Sequence, residues 1–585
     1  MIKMFSRLKP REWLLTFISL VFIVGQVWLD LSVPFYMAEI TRIVTTGGQL
    51  SEVLIVGLFM LGATLGSAVA SIIIGFVAAH VGASFSQSLR GDLFRRVESF
   101  SLDEINKFST ASLITRTTND ITQIQMLVAM GMQLIVRAPI MAVWALSAMA
   151  GGNWEWTALT GALVAVVVIM ISILMAYALP RFRKIQDLTD NLNLVTRENL
   201  TGIRVVRAYN AESFQEKKFD KANEDFTSTS LSVVRAMQIM NPVMRLVMSG
   251  LSLGIFWIGA FLIQAATIEG RIDIFANMVV FSQYAMHVIM SFMMLTMILI
   301  ILPRVMVSVK RVNEVLETEP KILDGHISAT PEGVVGEVEF RNVSFKYPDG
   351  EDYALYDISF KAERGETVAL IGSTGSGKST IVNLVPRFYD TTQGQVLVNG
   401  VDVKDYTQEA LRNTLGYVPQ KAAIFSGTVS SNVAFGSSGK PQPSENDVRA
   451  AVSIAQALPF VEDMENSFEA HIAQGGTNIS GGEKQRLSIA RAICRRPEIY
   501  IFDDSFSALD YKTDKDLRAA LQAETQGATC LIVAQRIGTI RGADRILVLD
   551  EGRLVGTGTH EILMKSCEVY REIAQSQLSV EELGL

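Results

Sequence analysis

The sequence predicts two unlike architectures on one chain. A helical membrane domain of six spans with long polar extensions comes first, and an α/β domain of the P-loop type follows. Three observations carry this. Charge is unevenly divided along the chain, six long apolar runs fill its first half, and a glycine-rich strand–turn–helix motif opens its second.

The 585 residues hold 52 Lys and Arg against 59 Asp and Glu, a net charge of −7. Residues 1–315 hold 26 basic and 21 acidic residues, a net of +5, and residues 316–585 hold 26 and 38, a net of −12. Only 47 of the first 315 residues are charged, too few for an ordinary soluble domain. This division excludes an all-soluble enzyme, a disordered chain and a nucleic-acid binder that works by bulk positive charge. The three cysteines, Cys494, Cys530 and Cys567, all lie in the second part. So sparse and odd a set is no disulfide framework and fits a reducing compartment.

A span needs about 20 mostly apolar residues. Six candidates occur, at roughly 13–37, 53–79, 127–150, 156–179, 246–268 and 274–303, and the second, fourth and fifth contain no Asp, Glu, Lys or Arg. Lys3, Arg7, Lys9 and Arg11 precede the first run; a signal peptide is the competing reading, but no small-residue cleavage site follows. The connections at 36–52, Gly151–Glu155 and 266–273 are short, whereas 80–126 and 180–245 are long and rich in Lys and Arg. The positive-inside bias assigns both long connections, and with six spans both termini, to the cytoplasm. Helical spacing persists through them, so they read as helical extensions of about 25 Å with tips near Leu102–Phe108 and Ala208–Phe214. Asp30, Glu39 and Arg137 sit inside or beside spans. Asp30 and Arg137 are expected to face a cavity or a partner, and Glu39 less so; the plain alternatives are that Glu39 lies at the interface and that Arg137 snorkels.

Residues 316–335 carry Pro, Gly and turn residues and read as a linker, with the α/β domain at 336–578 and a tail at 579–585. Glu337–Phe340 and Val343–Phe345 read as two short strands, and Thr367–Ile371 as a strand ending in Gly372. Gly372-Ser373-Thr374-Gly375-Ser376-Gly377-Lys378-Ser379 then fits the P-loop pattern in full, and a helix opens at Thr380. Glycines let backbone amides turn inward around phosphate oxygens, Lys378 reaches the β- and γ-phosphates, and the Ser379 hydroxyl is a Mg²⁺ ligand. Downstream, the apolar strand Ile499–Phe502 delivers Asp503, in the position that holds Mg²⁺, and Asp504, next to the γ-phosphate and able to polarise a water.

Between these elements lies Asn478-Ile479-Ser480-Gly481-Gly482-Glu483-Lys484-Gln485-Arg486. This segment resembles the signature motif of ABC transporter ATPases. Tyr347 fits that family's adenine-stacking aromatic, Gln420 its Q-loop glutamine and Mg²⁺ partner, Ser507-Ala508-Leu509-Asp510 its D-loop, and Gln535 its switch position. With six spans ahead, the chain resembles an ABC exporter half-transporter. The resemblance implies ATP and Mg²⁺ as cofactors and a second half-transporter as partner. It implies a multi-pass cell-membrane location and alternating access driven by ATP.

Departures from the family pattern sharpen the expectation. Asp504 stands where the family has Glu, and one methylene less retracts the carboxylate by roughly 1–1.5 Å, where a 1 Å misplacement can cost about 10²-fold in rate. Gln535 replaces His and cannot become cationic. Glu483 replaces Gln, while Ser480, Gly481 and Gly482 are kept. The chain therefore resembles the degenerate-site subunit of heterodimeric bacterial multidrug exporters, moving amphipathic drugs or lipids. A homodimer, a dedicated cargo such as a peptide or siderophore, and a gating role without transport stay open.

Overall fold

The structure is a computed structural model, and it describes residues 8–150, 153–330 and 333–577. Lys3, Arg7, the first two residues of the Gly151–Glu155 turn, Pro331 and Glu332 of the linker, and the 579–585 tail lie outside the described residues. The chain forms two compact units. One comprises the N-terminal residues to Glu98 and Ala111–Thr318; the other comprises Ser99–Thr110 and everything from Glu319 on.

The first unit is helical, as a lipid environment requires of a chain that must satisfy every backbone group internally. Its elements are α1 (Pro10–Thr45) and α2 (Leu50–Glu98), then, beyond the short α3 (Leu102–Phe108), α4 (Thr110–Thr115), a π-helical turn (Arg116–Asp120) and α5 (Ile121–Ala150). They continue with α6 (Trp154–Thr201), α7 (Ile203–Ala208), α8 (Glu212–Gln238), α9 (Met240–Ala265) and α10 (Ile268–Glu317). Among the described residues, six helical stretches are long and apolar enough to cross a membrane: Pro10–Thr45, Leu50–Glu98, Thr110–Ala150, Trp154–Thr201, Glu212–Ala265 and Gly270–Ile298. The 49 residues of α2 make a rod about 74 Å long, more than twice a hydrocarbon core of about 30 Å. The long polar connections are thus continuations of the spans. Exposed Leu58, Phe59, Leu65 and Phe76 on α2 would be a solubility defect in water and are ordinary in lipid. Inside, Trp156 is fully buried, packs its ring tilted by 50° against Phe281 at 4.9 Å and donates its indole N–H to the Ile255 carbonyl at 3.2 Å. Those contacts pin α6, α9 and α10 together.

The second unit is α/β. β1 (Val338–Phe345), β2 (Leu355–Ala362), β4 (Gln393–Val398) and β5 (Val401–Asp402) form an antiparallel sheet in the order β2-β1-β4-β5. β1 is one strand, where the sequence suggests two. Its register shifts between Phe340 and Val343, with Asn342 at φ 49°, and that irregularity reads as a break in the pattern. The larger sheet is built from β3 (Thr367–Gly372), β6 (Leu415–Val418), β9 (Ile499–Asp503), β10 (Thr529–Val533), β11 (Arg545–Asp550) and β12 (Arg553–Gly558) in the order β12-β11-β3-β10-β9-β6, and β7 (Gly427–Thr428) pairs with β8 (His471–Ile472) in a separate two-stranded sheet. In the larger sheet all but β12 run parallel, and β9 is buried along its whole length, which explains its unbroken apolar run. The linker segment is tied down: Ile322 is buried, the Gly325 N–H donates to the Tyr406 carbonyl at 2.9 Å, and Ile327 bridges Tyr406. Helix α3 packs with this unit through an ion pair from Asp103 to Lys321 and a 3.4 Å hydrogen bond from Asn106 to Tyr389.

Candidate functional site

Parallel strands place their C-terminal ends on one edge, where the loops that follow can converge. β3, β10, β9 and β6 are adjacent, and the residues singled out from the sequence sit just past their ends. β3 leads through Gly372–Gly377 into α11 (Lys378–Leu384), β6 leads to Gln420, β9 to Asp503 and Asp504, and β10 to Gln535.

Two of the three glycines of the β3 turn, Gly372 and Gly377, are required by space. A Cβ on Gly372 would lie 2.1 Å from the Leu549 carbonyl oxygen; at Gly377, with φ 95°, it would lie 2.6 Å from Leu355 Cδ2. The turn therefore leaves its amides free to curl into a phosphate-sized cradle. Lys378, the first residue of α11, is buried and folds its ammonium onto the turn, donating to the Gly372 and Ser373 carbonyls at 2.9 and 2.6 Å. Ser376 Oγ lies 3.4 Å from the same ammonium. Burial pulls the Lys378 pKa down, and the charges of Asp504 and Asp503 oppose that pull.

Ser379 Oγ donates to Asp503 Oδ1 at 2.8 Å. A hydroxyl and a carboxylate oxygen so close form a hard oxygen pair of the kind Mg²⁺ takes beside phosphates, keeping waters for the rest of its shell. No cluster of three or more His, Cys, Asp or Glu suited to a metal occurs among the described residues. Burial, reinforced by the Asp504 charge, pushes the Asp503 carboxyl above the ordinary range, while Ser379 and Lys378 pull it down.

Asp504 is the meeting point. Its Oδ2 accepts from Gln535 Nε2 at 2.8 Å and from Gln420 Nε2 at 3.3 Å. Its backbone is left-handed, with φ 46°, a conformation that short polar side chains tolerate better than longer ones. Burial pushes its pKa up, opposed in order by Gln420, Lys378, Arg536 and Gln535. The structure thus gathers Gln420, Asp503, Asp504, Gln535, Lys378, Ser379 and the Gly372–Gly377 turn into one pocket. Tyr347 Oη lies 2.9 Å from Thr380 Oγ1 at the side of this pocket, and its ring meets Tyr389 edge-on at 5.3 Å.

Ser480–Glu483 form no direct contact with that group. Ser480 caps α12 (Gly481–Cys494): its N–H donates to Glu483 Oε2 at 2.7 Å, and its Oγ accepts from the Glu483 N–H at 3.4 Å. Gly481 has open space around an added Cβ. Two residues that the sequence did not single out bear on the pocket. Gln485 is buried and donates to the Pro419 carbonyl at 3.3 Å, linking α12 to the residue before Gln420. Arg536 acts electrostatically on Asp504. Neither carries a local signal beyond its place beside a motif.

Comparison with known proteins follows the same division. The family model of the ABC transporter transmembrane region matches residues 16–292, and the ABC transporter family model matches 355–507. The chain is 38% identical to an uncharacterized ABC transporter ATP-binding protein of Mycobacterium tuberculosis, over 94% of this chain and 93% of that one. It is 31% identical to the ATP-dependent lipid A-core flippase of Pseudomonas putida, over 84% and 79%. Its fold is that of a bacterial Atm1-family ABC exporter solved with ATP bound, with a TM-score of 0.79 at 24% identity, covering 97% of this chain and 99% of that one. The chain belongs to the ABC transporter family: it is a multi-pass membrane protein with a fused ATP-binding domain that uses ATP and Mg²⁺ and couples hydrolysis to transport.

Proposed function

We propose that this chain is one half of a heterodimeric exporter of amphipathic drugs or lipids, with both termini and the ATP-binding domain in the cytoplasm. In this reading Gly372–Thr380 and Lys378 cradle the phosphates, Tyr347 stacks on adenine, and Ser379, Asp503 and Gln420 serve Mg²⁺. Asp504 and Gln535 form a weakened hydrolytic pair, and Ser480–Glu483 complete the partner's site. The relatives named as lipid A-core flippases favour a lipid among the amphipathic cargoes.

One observation carries the weakened site: a single Asp504 oxygen accepts both glutamine amides, at 2.8 and 3.3 Å. Burial makes Asp504 more basic, which favours taking a proton from water. Reach decides against it. The carboxylate is a methylene short and is held back by two donors, and misplacement by about 1 Å costs around 10²-fold. ATP bound here is held longer than it is cut, and closure of the paired domains around it opens the spans alternately to the two sides.

In the assembled transporter, Asp504→Ala should lower ATP turnover less than twofold and Ser480→Ala at least tenfold, on the scale of losing one phosphate-facing donor. The opposite ranking, or rapid turnover by this chain purified alone, would favour a homodimer with two equal sites.

A further inference from the structure

The chain end of the second unit reaches back to the pocket. Past β10, Ala534 is buried, and α13 (Ile537–Ile540) begins at the fully buried Ile537. Between them Gln535 and Arg536 form an exposed two-residue arch. α14 (Glu568–Gln575) packs on the same stretch: its Tyr570 and Ala574 are fully buried in one apolar cluster with Ala534, Ile537 and Ile371 of β3. Both ends of the arch are thus fixed by apolar packing, and its middle is not.

Gln577 supplies what the packing leaves out. Its Nε2 donates to the Gln535 carbonyl at 2.8 Å, and its Oε1 accepts from the Ile537 N–H at 2.8 Å. Arg536 between them is extended, with φ −105° and ψ 127°, so the carbonyl before it and the N–H after it point to the same side. One side-chain amide therefore pairs with both, as a neighbouring strand does. The Ile537 N–H is among the donors that a helix start leaves unsatisfied, and Arg536 gives it no side-chain cap. Gln577 is itself held. It lies three residues past buried Ala574, and its own N–H donates to the Ala574 carbonyl at 3.1 Å.

The consequence falls on Asp504. The Gln535 amide donates to Asp504 Oδ2 at 2.8 Å, and Arg536 Nη2 donates to the Ser507 carbonyl at 3.4 Å. Both side chains leave the backbone between the two groups that Gln577 holds. Without that bridge the arch keeps its ends but loses the orientation of the peptides between them, and the Gln535 amide loses its aim. We propose that Gln577 is a positioning residue for ATP turnover: from outside the nucleotide motifs, it aims Gln535 at Asp504 and the γ-phosphate. This rests on the reading of Gln535 as a neighbour of the γ-phosphate.

The test uses the full-length chain in nanodiscs, with labelled ATPγS and labelled ADP as probes. The two nucleotides differ at the γ-position, where that reading places Gln535. Gln577→Ala should weaken ATPγS binding about fivefold, part of what a hydrogen bond to a charged group contributes, and change ADP less than twofold. General damage to the domain weakens both alike. Gln577→Met keeps the length of the side chain without its hydrogen bonds; it should match Ala and is the fallback if Ala misfolds. Gln535→Ala should weaken ATPγS about tenfold. Adding Gln577→Ala to it should cost less than a further twofold, because a residue that acts through Gln535 then has nothing left to aim. Equal losses for the two nucleotides from Gln577→Met, no loss of ATPγS, or losses that multiply in the double variant overturn the proposal. If Gln535→Ala itself does not separate ATPγS from ADP, the reading of the pocket falls too. If Gln535→Ala separates them and Gln577→Met does not, only the role of Gln577 falls.

Discussion

The two helix beginnings in the ATP-binding unit that the proposal assigns to phosphate are built by different rules. α11 opens on Gly377 in a left-handed conformation with no side-chain cap; its lysine and the glycine turn form the cradle, and the neighbouring Asp504 and Gln535 depart from the family pattern. α12 opens on Ser480, which is capped by its own third residue, Glu483, and the family's Ser-Gly-Gly is intact. The Glu483 departure has a local reason. A carboxylate accepts from the Ser480 N–H better than an amide does and favours the positive end of the helix. One terminus keeps its cradle but has altered surroundings; the other is self-sufficient. In the proposed heterodimer, the terminus offered to the partner is the one that keeps the family's residues, and the terminus used at home is the one whose surroundings depart from them.

The comparison can be broken at its strong end. Lys378→Ala removes an ammonium that the cradle holds at 2.6–2.9 Å, and it should weaken ATP binding at this site about 100-fold, read with a labelled nucleotide. Undiminished binding would mean the cradle is not a working site. A middle-sized effect sharpens it. Asp504→Glu with Gln535→His should raise turnover by this chain about tenfold, whereas Asp504→Glu alone should gain far less, because Gln420 and Gln535 still pull on the carboxylate. Equal gains would show that side-chain length alone sets the rate. At the small end, Glu483→Gln should keep turnover within twofold and cost roughly 0.5 kcal/mol of stability through a weaker cap, measured by thermal unfolding.

Much of this was legible from residue order. Runs such as 53–79 and 156–179 are too long and too free of charge to be anything but spans, and Gly372–Ser379 after Thr367–Ile371 leaves little choice of fold. Local pattern also told that the long connections continue as helices. Convergence was not legible. Gln420, Asp504 and Gln535 are 84 and 31 positions apart, and only the strand order β10-β9-β6 makes them neighbours. Asp30 and Arg137 each stood out as charges in apolar surroundings. Their ion pair, with Arg137 Nη2 donating to Asp30 Oδ2 at 2.9 Å and the Ser67 hydroxyl donating to Asp30 Oδ1, depends on helix azimuths that no periodicity in a uniformly apolar run can fix. The π-helical turn at Arg116–Asp120 was invisible for the same reason, since its residues read as ordinary helix.

That turn has a geometric consequence. A π-turn accommodates one residue more than an α-turn, so everything beyond it is swung by about 100° about the helix axis compared with an unbroken rod. The turn is anchored on α10, where Asp120 accepts from Ser308 at 2.7 Å and Arg116 meets Glu314 at 3.0 Å. It thereby sets the compass bearing of α5, and with it the direction of Arg137. Wound as an unbroken α-helix, the same residues would turn Arg137 about 100° away from Asp30, and their ion pair would be lost.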